Sequence, residues 1–456
     1  MMKPKLRHLP LAAAALVACS GAYAGYQSPD GNFSLSGFGT LGAAKSTTDE
    51  AYFYYPGQRG GATRTASLNP DSKLAVQGTY KLTPTLSGTA QVMTKFNGEG
   101  QYQPEMEWAF GKWQATPGLT FRAGRMGAPY FMISDFRNVG YANTAARPSL
   151  EVYGQVPVSQ FDGGDVSYQM NLGDATITST LWAGDSPTKY TSAMNKDPSL
   201  LEIKRTVGLN FQAELSNGIS LRYGHTQGRL NVKNDSGSQL LAAANNPTLR
   251  AGLAGYAAAI PSSNAAAALA SLSQIYPLIN PSTARATFDG IGLAYDQDQW
   301  IFNVEYTKRK TKSFVSDTTG WYGLVGYRVD KFTPYVGLAK VSSDRRSANP
   351  VVKTSLFSVA PSVATGTIDA TMRALYDGTQ QSLNTQKLDQ RTITVGSRWD
   401  ISNGLALKVQ LDHIAKPADS NGFFLVGDSA ASLSPTSFSA TKRKVNVLTI
   451  SADFVF

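Results

Sequence analysis

The last thirteen residues of the chain, from Lys444 to Phe456, alternate between apolar and polar side chains. The apolar set is Leu448, Ile450, Ala452, Phe454 and Phe456, and the intervening polar set is Thr449, Ser451 and Asp453. Successive side chains of a strand point to opposite faces, so this strand has one apolar and one mostly polar face. The apolar face either packs on a second sheet or meets lipid while the polar face lines water. A soluble sandwich and a membrane barrel are therefore the two alternatives.

The same alternation recurs in about sixteen segments between Asn32 and the C-terminus. Short turn signals alternate with longer connections, and the turns are Thr83-Pro84, Pro117-Gly118, Gly173-Asp174, Ser216-Asn217-Gly218, Asp296 to Gln299, Val329 to Lys331 and Ser402 to Gly404. Seven tight turns and eight longer connections match the two ends of a transmembrane barrel, whereas a sandwich has no reason to sort its loops by length. The sequence predicts an all-β, antiparallel, up-and-down transmembrane β-barrel of about 16 strands with short periplasmic turns and long extracellular loops.

Composition agrees with a barrel. Charged residues make up only 16% of the chain, aromatic residues 10%, and glycines number 42. No apolar run approaches the roughly 18 residues that a membrane helix needs. The six tryptophans fall toward the ends of the expected strands, where we expect them to meet lipid headgroups: Trp108, Trp113, Trp182, Trp300, Trp321 and Trp399.

The N-terminus has the features of a secretory signal peptide. A basic region with Lys3, Lys5 and Arg7 precedes an apolar region from Leu9 to Ala18 and the cleavage motif Ala22-Tyr23-Ala24. Residues 1–24 are therefore expected to be removed, leaving residues 25–456 as the mature barrel. The stretch Leu16 to Cys19 also resembles a lipobox, in which Cys19 would be retained and lipidated. Both alternatives imply export from the cytoplasm.

Nucleic-acid binding and enzymatic chemistry find little support. Without the three bases of the signal, the net charge is (42 − 3) − 32 = +7, and the longest basic runs are the short Lys308 to Lys310 and Lys442 to Lys444. No metalloprotease, dithiol, hydrolase or phosphate-loop motif occurs, so we expect no catalytic site, cofactor or metal. His225 and His413 lie toward the outer ends of their strands. A barrel enzyme that uses a rim histidine, and an adhesin built from the long loops, remain as alternatives.

The connection from Gly127 to Asp162 is long and has no sustained period. Aromatic and charged side chains interleave in it: Tyr130, Phe131, Asp135, Phe136, Arg137, Tyr141, Arg147, Glu151, Tyr153 and Phe161. Long connections without strands are usually functional or disordered, and the aromatic content favours order. Irregular backbone at membrane depth is tolerated against a water-filled lumen, so we expect residues 127–162 to fold into the barrel, with an ordered external flap as the alternative.

Two further long connections, residues 232–285 and 342–388, are expected to be extracellular loops. The first is rich in alanine between Gln239 and Tyr276, which indicates partial helix in a surface cap. The second is rich in serine and threonine, and we expect a loop.

Charged residues also occur on the polar faces of the strands. Arg122 and Arg222 alternate with apolar neighbours and are therefore expected to point into the lumen. The other inward charges are expected to be Lys204, Arg398, Lys408, Glu214, Glu305, Asp412 and Asp453. Opposed acids and bases set a transverse field that favours polar solutes, and the excess of bases predicts a weak preference for anions.

Four features together resemble the general porins of the Gram-negative outer membrane, of the proteobacterial type. They are the signal peptide, the sixteen-odd alternating segments, the long third outer loop and the terminal Phe456. The resemblance covers the whole mature chain. It implies a homotrimer of sixteen-stranded barrels in contact with outer-membrane lipid and lipopolysaccharide. It also implies passive diffusion of small hydrophilic solutes and ions, without enzymatic activity.

The resemblance further implies that the third loop forms the pore constriction. Carried over by position, the loop acids are Asp135 and Glu151 and the wall bases are Arg122 and Arg222, and the loop bases Arg137 and Arg147 complete the candidate set. The Pro-Glu-Phe-Gly segment of many third loops is absent, and residues 128–131 are the nearest match. Which carboxylates reach the constriction therefore stays open.

Overall fold

The computed structural model describes residues 25–191, 198–233, 235–261, 263–279, 284–344, 363–426 and 437–456. The expected signal peptide, with Cys19, lies outside these residues. Sixteen strands each pair in antiparallel fashion with the next, and the last strand pairs with the first, so that the sheet closes into a barrel. Val455 lies opposite Phe38, and Val447 lies opposite Ser46, across the closing pair of strands.

The strands of the barrel are numbered here in chain order. They are β1 (Phe33–Ser46), β2 (Lys73–Lys81), β3 (Leu86–Phe96), β4 (Tyr102–Gln114), β5 (Leu119–Gly127), β6 (Gln160–Leu172), β7 (Ala175–Thr191), β8 (Pro198–Leu215), β9 (Ile219–Lys233), β10 (Ala284–Gln297), β11 (Trp300–Thr311), β12 (Thr318–Tyr327), β13 (Phe332–Ser343), β14 (Gln390–Ser402), β15 (Leu405–Lys416) and β16 (Arg443–Val455). Each expected segment is found as a strand, so the prediction of a sixteen-stranded antiparallel barrel is confirmed.

The connections sort by length as the sequence predicts. Seven contain two to four residues and join the strands at one end, here called the short-turn end. The other eight are longer and meet at the opposite end, here called the long-loop end. Two short strand pairings also occur: Tyr26–Gln27 pairs with the first residues of β1, at the short-turn end, and Ala51–Phe53 pairs with Phe424–Val426 in the long loops.

The outer surface of the barrel is apolar. Large apolar side chains on almost every strand are exposed, among them Val76, Val92, Phe121, Leu181, Leu209, Phe211, Ile291, Val304, Leu338, Val395, Leu411, Leu448 and Ile450. Apart from the barrel, the only sheet in the described residues is the two-stranded pairing in the loops. The apolar faces therefore do not pack on a second sheet, and the sandwich alternative is wrong.

All helices in the described residues lie in the longer connections between strands. They are α1 (Leu150–Tyr153), α2 (Asp235–Ala244), α3 (Pro247–Ala259), α4 (Ala265–Ile279), α5 (Val363–Thr385) and α6 (Ser437–Ala440), with a 3-10 turn at Gly140–Ala142. The helices α2 to α5 share a small apolar core that includes Leu253, Leu272, Met372 and Leu375. None of the described helices combines the length and the apolar character needed to span a membrane.

The 23-residue helix α5 differs from the loop expected for residues 342–388. Its buried side chains Met372, Leu375, Tyr376 and Leu383 repeat at helical spacing and pack against the alanine-rich helices of the other long connection. The surrounding Thr, Ser and Gly residues hide this stripe in the sequence. The expected partial helix between Gln239 and Tyr276 is present in α2 to α4.

Two β-bulges place side chains on the face of the wall opposite to the one that strict alternation predicts. The register shifts between Lys204 and Val207 in β8, and Lys204 is exposed on the outside, so the inward direction expected for it is wrong. A second shift, opposite Gln91 and Val92, places Trp108 on the inner face, away from the exposed Met106.

The tryptophans divide between the two faces of the wall. Trp113, Trp300, Trp321 and Trp399 are exposed on the outside. Trp182 is only 1% exposed and packs inside the barrel against Tyr130 of the connection between β5 and β6 and against Phe161 of β6. The expectation that all six tryptophans lie in a headgroup belt is therefore wrong for Trp182 and Trp108.

Candidate pore constriction

Residues 128–159, which join β5 to β6, pack against the inner surface of the barrel wall and are called the lumen loop below. The loop has little regular structure beyond the 3-10 turn and α1. Its backbone polar groups therefore need partners other than a regular helix or sheet. Hydrogen bonds and ion pairs hold the loop at four places around the circumference, some through its backbone groups and others through its charged side chains.

The first contact is made with β9 and β11. The buried guanidinium of Arg222 donates through Nη1 to the carbonyl oxygen of Tyr130, at 3.2 Å. The carboxylate of Glu305 accepts from the backbone N–H of Met132, at 2.9 Å, and from the hydroxyl of Tyr153, at 2.7 Å. Burial, and then the Glu305 carboxylate, raise the pKa of Tyr153 well above its ordinary value, so this hydroxyl stays a donor.

The second contact is a lysine that binds three carbonyl groups. Nζ of Lys408, on β15, donates to the carbonyl oxygens of Gly140 at 2.7 Å, Asn143 at 2.6 Å and Ala145 at 3.1 Å. The same ammonium lies 3.0 Å from a carboxylate oxygen of Asp453, and both side chains are completely buried. The lysine thus compensates a buried carboxylate and fixes a turn of the loop.

The third contact is an ion-pair network around Arg147. This guanidinium donates to both carboxylate oxygens of Asp71 and, at 3.0 Å, to Asp412 on β15. All three side chains are buried. Burial disfavours the charged guanidinium, but the two carboxylates outweigh it and hold the pKa of Arg147 above its ordinary value.

The fourth contact involves β14. The buried carboxylate of Glu151 accepts hydrogen bonds from Gln390, at 2.7 Å, and from the hydroxyl of Thr392. Nη1 of Arg398 donates to the carbonyl oxygen of Tyr141, at 2.6 Å, and its guanidinium lies 4.8 Å from the centre of that ring. A cation over an aromatic face is attracted by the ring electrons, so this contact orients the loop as well.

Aromatic side chains fill the space between the lumen loop and strands β6 to β11. Tyr130 meets Trp182 and Phe288 edge-on, and Phe131 lies 4.6 Å from Tyr153 between ring centres. The inward aromatic residues of the wall were not among the expected site residues. A signal was present, because Trp182 alternates with Leu181 and Ala183 and so lies on the face opposite the apolar one.

Asp135 lies on the side of the lumen loop opposite these aromatic side chains, and it is exposed. A Cβ added at Gly127, the last residue of β5, would lie 3.5 Å from Oδ1 of Asp135 and 3.5 Å from Nε1 of Trp108 on β4. Asp135 therefore lies close to Gly127 and Trp108. Its carboxylate attracts Arg122 and Arg222 electrostatically. Arg122 also pairs with the buried Asp165 at 2.6 Å and keeps 29% of its side chain exposed.

Strands β2 to β5 carry several bases on their inner face. Lys73, Lys95, Lys112 and Arg122 all lie in the inward phase of their strands. Lys95 lies 3.8 Å from the buried Glu107, and Arg122 pairs with Asp165. No ion pair to Lys73 or Lys112 is present among the described residues. This wall therefore has an excess of positive charge.

The structure brings the six candidate residues into two environments. Asp135 and Arg122 keep exposed surface toward the lumen. Arg147, Glu151 and Arg222 are buried in contacts between loop and wall. Arg137 is also buried, and it donates to the carbonyl oxygen of Val158 at 2.6 Å, within the loop itself.

A cavity of about 320 Å³ lies between the loop and the wall from β8 to β15. Polar groups that line it include Glu214, Asn303, Thr394 and Gln410.

His225, the rim histidine considered for a barrel enzyme, lies on the outer face of the barrel, with Nδ1 2.6 Å from a carboxylate oxygen of Asp289. Within the described parts of the chain, no group of three or more His, Cys, Asp or Glu side chains could hold a metal ion.

Comparisons with known proteins give only distant structural similarities, to outer-membrane proteins. No protein-family profile matches the sequence, and no curated protein matches it. The outer membrane channel DcaP of Acinetobacter baumannii shares 10% identity, with 95% of this chain and 100% of that chain covered and a TM-score of 0.49. OmpF of Salmonella typhi shares 12% identity over 94% and 99%, at 0.49.

An anion-selective porin from Comamonas acidovorans shares 12% identity over 93% of this chain and 99% of that chain, with a TM-score of 0.48. Identities and scores are low throughout. The function of this chain is therefore argued from its own geometry.

Proposed function

We propose that this protein is a channel of the Gram-negative outer membrane through which small hydrophilic solutes and ions diffuse passively. The single observation that carries the proposal is the lumen loop, held against the inner wall by Arg222, Glu305, Lys408 and the Arg147 network. A sealed or purely structural barrel needs no anchored loop that narrows its lumen. A channel that selects solutes by size and charge does need one.

The outer surface fits a bilayer. Spanning structures must satisfy their backbone hydrogen bonds internally, which a closed barrel does. Aromatic pairs stack on the outside near the short-turn end, where Trp113 meets Phe121, Trp300 meets Phe302 and Trp399 meets Phe332, with ring centres 5.4, 5.4 and 5.6 Å apart. Aromatic belts of this kind sit at the headgroup level of membranes. The N-terminal signal features of residues 1–24 support export.

Within this channel, Asp135 and Arg122 are the residues that meet the passing solute. Four other charged residues act indirectly, because their charges are buried in contacts that fix the position of the loop: Arg137, Arg147, Glu151 and Arg222. The bases of the inner wall from β2 to β5 attract anions, since charges lining a narrow lumen raise the local concentration of counter-ions. A weak preference for anions follows from this arrangement.

One part of the outer surface supports a homotrimer. Gly78, Gly88, Ala90, Ala109, Gly111 and Ala123 are neighbours on β2 to β5 and face outward. A Cβ added at Gly88 or Gly111 would meet nothing within 4 Å in this chain, so internal packing does not require glycine there. Small residues on a membrane-facing surface allow a second chain to approach closely.

The experiment that tests the function is reconstitution of the purified protein in planar lipid bilayers. We expect stepwise openings with a linear relation of current to voltage, and a reversal potential in a KCl gradient that indicates weak anion preference. A barrel that inserts without conducting would overturn the proposal. Hydrolysis of lipid or peptide by such a sealed barrel would favour a rim enzyme, and specific adhesion through the long loops would favour a surface-recognition protein.

A further inference from the structure

The inner face of β8 to β11 is apolar near the long-loop end, where it borders a second cavity of about 160 Å³, called the apolar cavity below. The strands contribute five buried side chains to its lining: Leu201, Ile203, Leu230, Val232 and Phe288. Further along the same strands, toward the short-turn end, the inner face carries the polar side chains Asn210, Arg222 and Glu305. A water-filled lumen favours polar side chains on the inner face, so the apolar part needs a different explanation.

The long connections between strands complete the lining of the apolar cavity. They contribute Tyr54 and Pro56 after β1, Val156 and Pro157 of the lumen loop, Phe314 and Val315 after β11, Leu388 after helix α5, and Phe423 after β15. Pro56, Phe314 and Leu388 each keep part of their surface exposed. The cavity thus lies at the long-loop end of the lumen loop, where a solute entering from that end arrives before it reaches the constriction.

Few polar side chains line the apolar cavity. Arg309 donates to the carbonyl oxygens of Gln155 and, at 2.8 Å, of Ser316. The hydroxyl of Thr311 donates to the carbonyl oxygen of Val315. These donors hold the connections in place, whereas Thr226 of β9 and Gln386 after helix α5 supply a hydroxyl and an amide that can hydrogen-bond to a ligand. The lining therefore suits a ligand that is mainly apolar and carries one polar group.

The size and the lining of the cavity restrict the ligand further. A cavity of about 150 Å³ lined by Leu, Ile and Phe stays dry and accepts benzene, because water needs several polar partners. Sugars and inorganic ions would lose hydration here without enough hydrogen bonds in return. Aromatic rings also attract one another edge-on, and five aromatic side chains line this cavity: Tyr54, Tyr130, Phe288, Phe314 and Phe423.

From this arrangement we propose that the apolar cavity binds a single-ring aromatic solute with one polar substituent, of the size of phenol. The ring packs among the apolar and aromatic side chains, and the substituent bonds to Thr226 or Gln386. This proposal rests on the proposed function, because it names a class of solutes that the channel holds at the long-loop end before they pass the lumen loop.

The test measures phenol binding to the full-length protein by saturation-transfer NMR in deuterated detergent. Cyclohexanol is the matched ligand, since it has the same number of non-hydrogen atoms but no aromatic ring. The variant is Ala286→Phe, which adds a ring at a position that lines the cavity and lies opposite Gly228 and Thr311. The matched control is Ala294→Phe, on the inner face of the same strand, where Ala294 lines the 320 Å³ cavity instead.

We expect the wild type and Ala294→Phe to bind phenol equally, and Ala286→Phe to bind it roughly tenfold or more weakly, because the added ring occupies the space of the ligand. The wild type should bind cyclohexanol roughly two- to tenfold more weakly than phenol, since it lacks the edge-on contacts. This comparison needs no variant, so it decides alone if Ala286→Phe does not fold.

Equal binding of phenol by the wild type and folded Ala286→Phe overturns the proposal. Cyclohexanol binding as tight as that of phenol also overturns it, because the lining would then not select aromatic rings. Conductance of the wild type is measured separately in planar bilayers. A conducting protein that does not bind phenol refutes the aromatic site alone, whereas a sealed barrel that binds phenol refutes the channel function.

Discussion

Arg147 and Asp71 meet through two parallel hydrogen bonds, from Nε to Oδ1 at 2.8 Å and from Nη2 to Oδ2 at 2.7 Å. The pair joins the lumen loop to the connection between β1 and β2. Asp412 of β15 completes the network from the opposite side of the guanidinium. Because all three groups are buried, each carboxylate depends on the arginine for compensation of its charge.

Replacement of this arginine should therefore loosen the constriction. We expect Arg147→Met to lower the free energy of unfolding by about 3–5 kcal/mol, since it leaves buried carboxylates unpaired. The open channel should also become noisier, because the loop loses a fixed point. Urea unfolding in lipid vesicles, followed by gel mobility, measures the first effect, and single-channel recording measures the second.

The matched control is Arg64→Met, which removes an exposed ion pair. Arg64 and Asp49 lie 3.8 Å apart, with 69% and 58% of their side chains exposed. Exposed pairs of this kind contribute about 0–1 kcal/mol. Equal destabilisation by the two substitutions would contradict the anchoring role assigned to Arg147.

The buried pair of Lys408 and Asp453 allows charge compensation to be separated from loop anchoring. Either Lys408→Met or Asp453→Asn alone should destabilise the barrel by about 3–5 kcal/mol, and the double variant should lose clearly less than the sum. Conductance should behave differently, because only Lys408 binds the carbonyl groups of Gly140, Asn143 and Ala145. We expect a larger conductance in both variants that lack Lys408. A larger conductance in Asp453→Asn alone would show that the lysine does not act through these carbonyl groups.

The strands could be predicted because their signal is local. A period of two appears within each segment, and the short turns have their own residue preferences, so all sixteen strands follow from the sequence. Bulges escape this reasoning, because one inserted residue reverses every later side chain. Lys204 and Trp108 were assigned to the wrong face for this reason. Trp182 is a different case. Its place in the alternation of β7 predicts the inner face, and only its aromatic character suggested a position in the headgroup belt.

The lumen loop shows why the residues of a site are harder to predict than its location. Its length and composition indicate an ordered loop, and residue type alone gives Arg147 and Glu151 as charged candidates. Their partners come from distant parts of the chain, since Asp71 and Gln390 are 76 and 239 residues away. Only closure of the barrel brings them together. The sequence therefore could not separate charges that anchor the loop from the more exposed Asp135 and Arg122.

These two residues should influence ion selectivity in opposite directions. Arg122→Gln removes a positive charge from the inner wall and should shift the reversal potential in a KCl gradient toward cation preference. Asp135→Asn removes a negative charge from the loop and should shift it toward anion preference. Measurements at about 0.1 M salt or below are needed, because the screening length is then about 10 Å or more.

Lys45→Gln is a suitable control for selectivity, since Lys45 is exposed and lies opposite Leu448 on the outer face. It should leave the reversal potential unchanged. Shifts of the same sign for Arg122→Gln and Asp135→Asn would contradict the proposal that both charges face the path of the ions.

Protomer contact through the small-residue face predicts a specific effect of bulk at Gly111. A Cβ there meets nothing within 4 Å of this chain, so Gly111→Leu should leave the barrel folded and conducting. It should nevertheless separate the protomers, because a larger side chain prevents close approach of a second chain. Mass measurement of the detergent-solubilised protein by light scattering gives the oligomeric state.

The matched control is Gly323→Leu, also on the outer face, where the nearest atom, in Val304, is 3.8 Å from the added Cβ. This residue lies on β12, away from the proposed contact, so its variant should stay oligomeric. If both variants keep the wild-type mass, the contact between protomers does not use this face.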